Sequence, residues 1–176
     1  MSGRIVGIFI MVAALAAGAA LYYLQIYGFY QEVADTDAPE IQLVNLATGT
    51  PEPILYDNFQ AIDAESSPIR YRACFTTSHG HPMLTETYEL LEDIDPRNAP
   101  GWFDCFNAEA IAADLDSGAA LLFLGQKNVH FGVDRVVAIH EDGRGWVWHE
   151  LNDCGEKAYD GTVVGEECPA RPKTTE

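Results

Sequence analysis

The stretch DRVVAIHEDGRGWVWHEL, residues 134–151, decides the fold. Two runs rich in β-branched and aromatic residues flank Asp142-Gly143, the dipeptide preferred by the type I′ turn of a two-residue hairpin. Such a loop pairs Glu141 with Arg144 and Arg135 with Glu150, opposite charges in both cases. It also sets Ile139 and Val137 beside Trp146 and Trp148. A second Asp-Gly, Asp160-Gly161, predicts a smaller hairpin with Cys154 and Cys168 near its open ends.

Outward from the hairpin, Ile69, Tyr71, Ala73 and Phe75 alternate with Arg70, Arg72, Cys74 and Thr76, the period of a half-buried strand. Ala119 to Leu124 reads as a buried strand. It follows a predicted helix from Ala108 to Ser117, with Asn107 as N-cap, Ile111 and Leu115 four apart, and Gly118 as the stop. Ile41 to Leu46 and Met83 to Tyr88 give weaker strand signals, and Asn58 to Ala64 reads as a short helix. The sum is an α+β domain over residues 41–168, an antiparallel sheet with one or two helices on a face. Residues 31–40 read as an acidic linker and residues 169–176 as a disordered tail.

Residues 1–30 have a different character. Ile5 to Leu24 is a run of twenty uncharged, mostly apolar residues after a lone Arg4. At about 1.5 Å per residue it covers the ~30 Å core of a bilayer, longer than a secretory h-region. The competing reading is a cleaved signal peptide, because Ala17-Gly18-Ala19 has the small-x-small form. Against it, the run continues as Leu21 to Leu24 into an aromatic belt of Tyr22, Tyr23, Tyr27, Phe29 and Tyr30. Arg4 lies before the segment and Glu32, Asp35, Asp37 and Glu40 beyond it. The positive-inside rule therefore predicts a single-pass inner-membrane protein with a cytoplasmic N-terminus and a periplasmic domain. Gly7, Met11, Ala14 and Gly18 form a small-residue stripe on this helix.

The chain carries 10 Lys and Arg against 27 Asp and Glu, a formal charge of −17. That balance excludes nucleic acid as a partner and disfavours anionic lipid. The acids are scattered, as expected of a solvated surface, and docking to a basic partner is the functional alternative. Cys74, Cys105, Cys154 and Cys168 form no C-x-x-C pair, so disulfides in an oxidising compartment are expected rather than a zinc or thioredoxin-like site. Of three pairings, closure of the small hairpin favours Cys154 with Cys168. That leaves Cys74 to join its strand to the aromatic turn at Trp102 to Phe106, which holds Cys105.

Two constellations invite chemistry. His79, His81 and Met83 offer two imidazoles and a thioether on one loop, a donor set for a soft cation such as copper(I). Arg70 and Arg72, predicted on one strand face, could bind a carboxylate or phosphate, or else neutralise acids such as Glu86 or Glu89. His149 is expected to be a hydrogen-bonded, half-buried strand residue. No serine sits in a G-x-S-x-G elbow, and no phosphate-cradling glycine loop or dinucleotide fingerprint occurs, so no cofactor and no catalytic residue is expected.

Four stretches carry a resemblance: MSGRIVG at residues 1–7, SPIRYRACF at 67–75, APGWFDCF at 99–106 and DRVVAI at 134–139. Together they resemble a family of uncharacterised single-pass membrane proteins of alphaproteobacteria. The resemblance implies the anchor and a periplasmic domain and assigns no activity. Similar sequences sometimes carry a histidine-kinase label. Here His140-Glu141 and His149-Glu150 fall on predicted strands rather than a dimerising helix, and no nucleotide-binding half follows. The sequence therefore predicts a non-enzymatic accessory protein that binds a protein partner in an envelope complex. A copper-binding or redox-accessory domain is the alternative, and an uncharacterised enzyme the second.

Overall fold

A computed structural model describes residues 2–34, 40–155, 158–162 and 168. Helix α1, Gly3–Tyr23, continues as a π-helical turn over Leu24–Gly28. The domain that follows contains β1 (Gln31–Val33), β2 (Gln42–Val44), β3 (Pro51–Pro53), β4 (Asp57–Asp63), β5 (Arg72–Thr76), α2 (His81–Thr87) and β6 (Leu90–Leu91). After them come α3 (Ala108–Asp116), β7 (Ala120–His130), β8 (Val133–His140) and β9 (Arg144–Leu151). Seven strands make one antiparallel sheet in the order β1-β4-β5-β9-β8-β7-β6, and β2 with β3 forms a separate ribbon. The domain is α+β, as expected.

Both faces of the central strands are covered, which makes three layers. On one face Ile41, Leu43 and Ile54 of the ribbon segment, with Leu84 of α2 and Tyr88, pack on Ala61, Ala73, Phe75, Phe123, Val137, Ile139 and Val147. On the other, Ile111 of α3 and Phe103 and Phe106 of the aromatic turn pack on Ile62, Cys74, Leu122, Val136, Ala138, Trp146 and Trp148. This is why β5, expected to be half-buried, is buried from Arg72 to Phe75. Cys74–Cys105 and Cys154–Cys168 are bonded, the pairing that closure of the small hairpin favours. The first pins the aromatic turn to the sheet, and Trp146 Nε1 adds a bond to the Cys105 carbonyl at 3.1 Å. Of the expected smaller hairpin, the described residues show the Asp160-Gly161 turn, in which Ala158 N donates to Thr162 O and Gly161 N to Ala158 O; its flanks at 156–157 and 163–167 lie outside the described residues.

Several expectations are corrected. The β8–β9 hairpin is slipped by one residue: Ile139 faces Gly145, Val136 faces Trp148, Arg135 faces His149 and Asp134 faces Glu150. The loop holds three residues, Glu141 to Gly143, with Gly143 at φ 90° donating to the His140 carbonyl, the arrangement in which a glycine supplies the left-handed position. The slip also answers packing. Gly145 lies against Phe75, where a Cβ would fall 2.2 Å from the ring, so the glycine has to face β5 at that point.

Asn58 to Ala64 is strand rather than helix, because β4 is clamped between β1 and β5 and absorbs an irregularity at Asn58, φ 54°. Met83 to Tyr88 lies mostly in α2 rather than a strand, with Pro82 in the first turn and Leu84 as its buried anchor. The expected linker begins with an ordered strand, since Gln31–Val33 pairs with β4. The rest of that linker, from 35 to 39, and the tail at 169–176 lie outside the described residues. Helix α3 forms where predicted, with the Asn107 side chain accepting from Ala110 N.

Candidate functional site

The most polar part of the core lies under the ribbon, at the open end of the β8–β9 hairpin. Arg135 and His149 are opposite one another there, on the face that carries Val137 and Val147. Arg135 Nε donates to His149 Nε2 at 3.1 Å. The imidazole therefore carries its proton on Nδ1, which donates to the Pro68 carbonyl at 2.7 Å. Arg135 Nη1 also donates to the Glu40 carbonyl at 3.2 Å and lies 3.6 Å from the Glu40 carboxylate. The guanidinium sits 4.4 Å above the Tyr71 ring, and that ring stacks on His149 at 4.8 Å.

Electrostatics makes this cluster chemically quiet. His149, 1% exposed, is pushed down to about 3 by burial and then by the Arg135 cation. Burial drives the Tyr71 phenol well above its ordinary value, and its hydroxyl has no hydrogen-bond partner among the described residues. Near neutrality neither group exchanges a proton. The cluster ties Glu40 and the 68–71 segment to the hairpin, a role for which a buried, mutually satisfied ring and cation are suited. His149 is thus hydrogen-bonded as expected and more deeply buried than expected.

Arg72 is 4% exposed, and its guanidinium is spent on carbonyl oxygens. It donates to Ile69 (2.9 Å), Tyr71 (2.6 Å), Arg97 (3.1 Å) and Asn98 (2.9 Å). Burial lowers it to about 10. No carboxylate of Glu86 or Glu89 is involved in these bonds. Arg70 packs 5.6 Å over Tyr30, and Arg72 lies 5.7 Å from Phe106, so both lie among second-face aromatics instead of an open surface. The buried Nη1 of Arg70 has no hydrogen-bond partner among the described residues.

His81 and Met83 lie in the first turn of α2, with His79 just before it. His81 Nε2 contacts the Ile139 carbonyl at 2.9 Å, and the Met83 sulfur lies 3.8 Å from the Thr87 hydroxyl along α2. Two residues apart on a helix, the His81 and Met83 side chains diverge by about 200°. Among the described residues no group of three His, Cys, Asp or Glu is placed to hold a metal.

An open cleft of about 850 Å³ runs between the 93–97 segment and the end of the hairpin. Of the charges along it, Arg97 forks onto Glu150, and Asp134 accepts from Asn128 N (2.7 Å) and Asn152 Nδ2 (2.6 Å).

The remaining arrangement joins helix α1 to the domain. The helix end leaves the Ile26 carbonyl without an intrahelical partner, and Trp102 Nε1 donates to it at 2.7 Å. Tyr27 stacks on the Trp102 indole at 6.2 Å, Tyr23 stacks on Tyr27 at 5.9 Å, and Tyr30 meets the indole edge-on at 6.0 Å. The sequence marked these tyrosines as an interfacial belt. Their grip on Trp102 was hidden, because a contact across 76 positions leaves no local pattern.

A family model matches residues 41–169. The chain belongs to the DUF6446 family. That family is one of unknown function. The DUF6446 match begins at Ile41, so it takes in the ribbon, α2, α3 and both disulfides, while α1 and β1 precede it. No curated protein and no solved structure matches the chain.

Proposed function

We propose that this DUF6446 chain is a single-pass, membrane-anchored accessory protein that presents its α+β domain in the periplasm to a protein partner of an envelope complex. The observation that carries the reading is the 26-residue apolar helix Gly3–Gly28, none of whose most apolar window is buried by the domain. An uncovered apolar surface of that length calls for lipid or a partner helix. Two disulfides support an oxidising compartment, and Arg4 at the helix start supports a cytoplasmic N-terminus. The internal use of Arg72, Arg97, Arg135 and His149 supports a binding role over catalysis, because these buried or paired groups hold the fold together. The acidic balance favours a protein partner over nucleic acid.

The test is crosslinking in intact cells carrying a C-terminal tag, followed by mass spectrometry of what co-purifies from solubilised membranes. A reproducible envelope protein is expected. Repeated recovery of the chain without any partner, with crosslinking verified on a known complex, contradicts the accessory reading.

A further inference from the structure

We infer that the domain does not hang on a loose tether but is seated in the outer headgroup layer of the membrane, with Trp102 at the depth of the lipid headgroups. The inference rests on the membrane-anchored reading above. Its starting point is length. The 26 residues from Gly3 to Gly28 extend about 39 Å at ~1.5 Å each, against a hydrocarbon core of ~30 Å. With Arg4 held at the inner interface, the core is crossed by about Leu24, and a ~20° tilt adds only about one residue. Ile26 and Tyr27 then lie among the headgroups.

Trp102 Nε1 is 2.7 Å from the Ile26 carbonyl and its ring stacks on Tyr27, so the Trp102 turn shares that depth. This turn is fixed to the body of the domain by Cys74–Cys105 and by the Trp146 bond to Cys105. The depth of Trp102 therefore sets the position of the whole sheet. Around it Tyr22, Tyr23, Tyr27 and Phe29 form an exposed aromatic collar, amphipathic rings of the type enriched at membrane interfaces.

Arg70, packed over Tyr30 two residues beyond the helix end, is half-buried with its Nη1 enclosed, so it belongs to the packing of the domain against the helix end. Glu32 and Asp104, on the nearby groove lined by Trp102 and Phe103, favour a zwitterionic lipid over an anionic one.

The full chain in zwitterionic lipid discs tests this by fluorescence quenching with nitroxide lipids. Trp146 and Trp148 are buried, so the difference between the native chain and Trp102→Phe isolates Trp102. A nitroxide on the headgroup is expected to quench Trp102 about twofold more than one midway down the acyl chain, as for other interfacial rings. Leu15→Trp on the Trp102→Phe background reports the span itself. If Leu15→Trp is quenched by the deep label while Trp102 answers to neither label, the seating is overturned and the anchor stands. If Leu15→Trp is not quenched, the membrane reading fails and the inference with it.

Discussion

His149 shows how a buried ring becomes a liability in acid. It is held at about 3 by burial and by the neighbouring Arg135, against about 6.5 in the unfolded chain. Between those values the unfolded chain binds a proton that the folded one refuses. The corresponding stability is fully present above about pH 6.5 and is lost toward pH 3, at up to about 1.4 kcal/mol per unit. His149→Gln keeps an acceptor for Arg135 and removes the titration. Urea unfolding of that variant is expected to show a stability slope flatter by up to one proton between about pH 6 and about pH 4; an unchanged slope would contradict the assignment. Gly145 is a second single-residue constraint. Gly145→Ala pushes a methyl into the Phe75 ring and is expected to cost about 1–3 kcal/mol in urea unfolding, whereas Gly101→Ala, with open space around it and no left-handed φ, makes no such contact and serves as the comparison.

Among the elements, those whose signals were local were readable and those settled by neighbours were not. Helix α3 carries its own start and stop in Asn107 and Gly118, and it forms between them. The Asp142-Gly143 dipeptide marked the hairpin, but whether a glycine closes a two-residue or a three-residue loop depends on which register packs. Here the close approach of Gly145 to Phe75 on β5, a strand some 70 positions upstream, bears on that choice. The 58–64 segment was misread because its strand state comes from being hydrogen-bonded on both sides, which no periodicity within seven residues reveals. The site was less legible still: Arg72 reads as a surface cation by alternation, yet a loop at Arg97 and Asn98 closes over it and supplies carbonyls.

The Cys74–Cys105 bond is the element-scale feature most open to test. It spans 31 positions, for which the chain-entropy account gives about 4 kcal/mol. The Cys74→Ala, Cys105→Ala double variant is expected to lose about that much on urea unfolding and to release the aromatic turn, seen as greater acrylamide access to Trp146. Stability within about 1 kcal/mol of the native chain would show that packing of Phe103 and Phe106 alone holds the turn.

For the whole molecule, an apolar helix is clasped by Trp102 to a three-layer domain whose buried cations are bonded within the fold. The apolar helix was legible because hydrophobic length is a property of contiguous sequence. The clasp was not, since it joins the helix end to a turn of the domain. The account stands on the helix crossing the membrane with the domain outside the cytoplasm, and protease treatment of spheroplasts followed by carbonate washing tests it most directly. The account predicts that a C-terminal tag is digested without lysis, while the Gly3–Gly28 segment stays in the carbonate-resistant pellet. A tag protected until lysis, or a chain that leaves the membrane in carbonate without its first 24 residues, would contradict it.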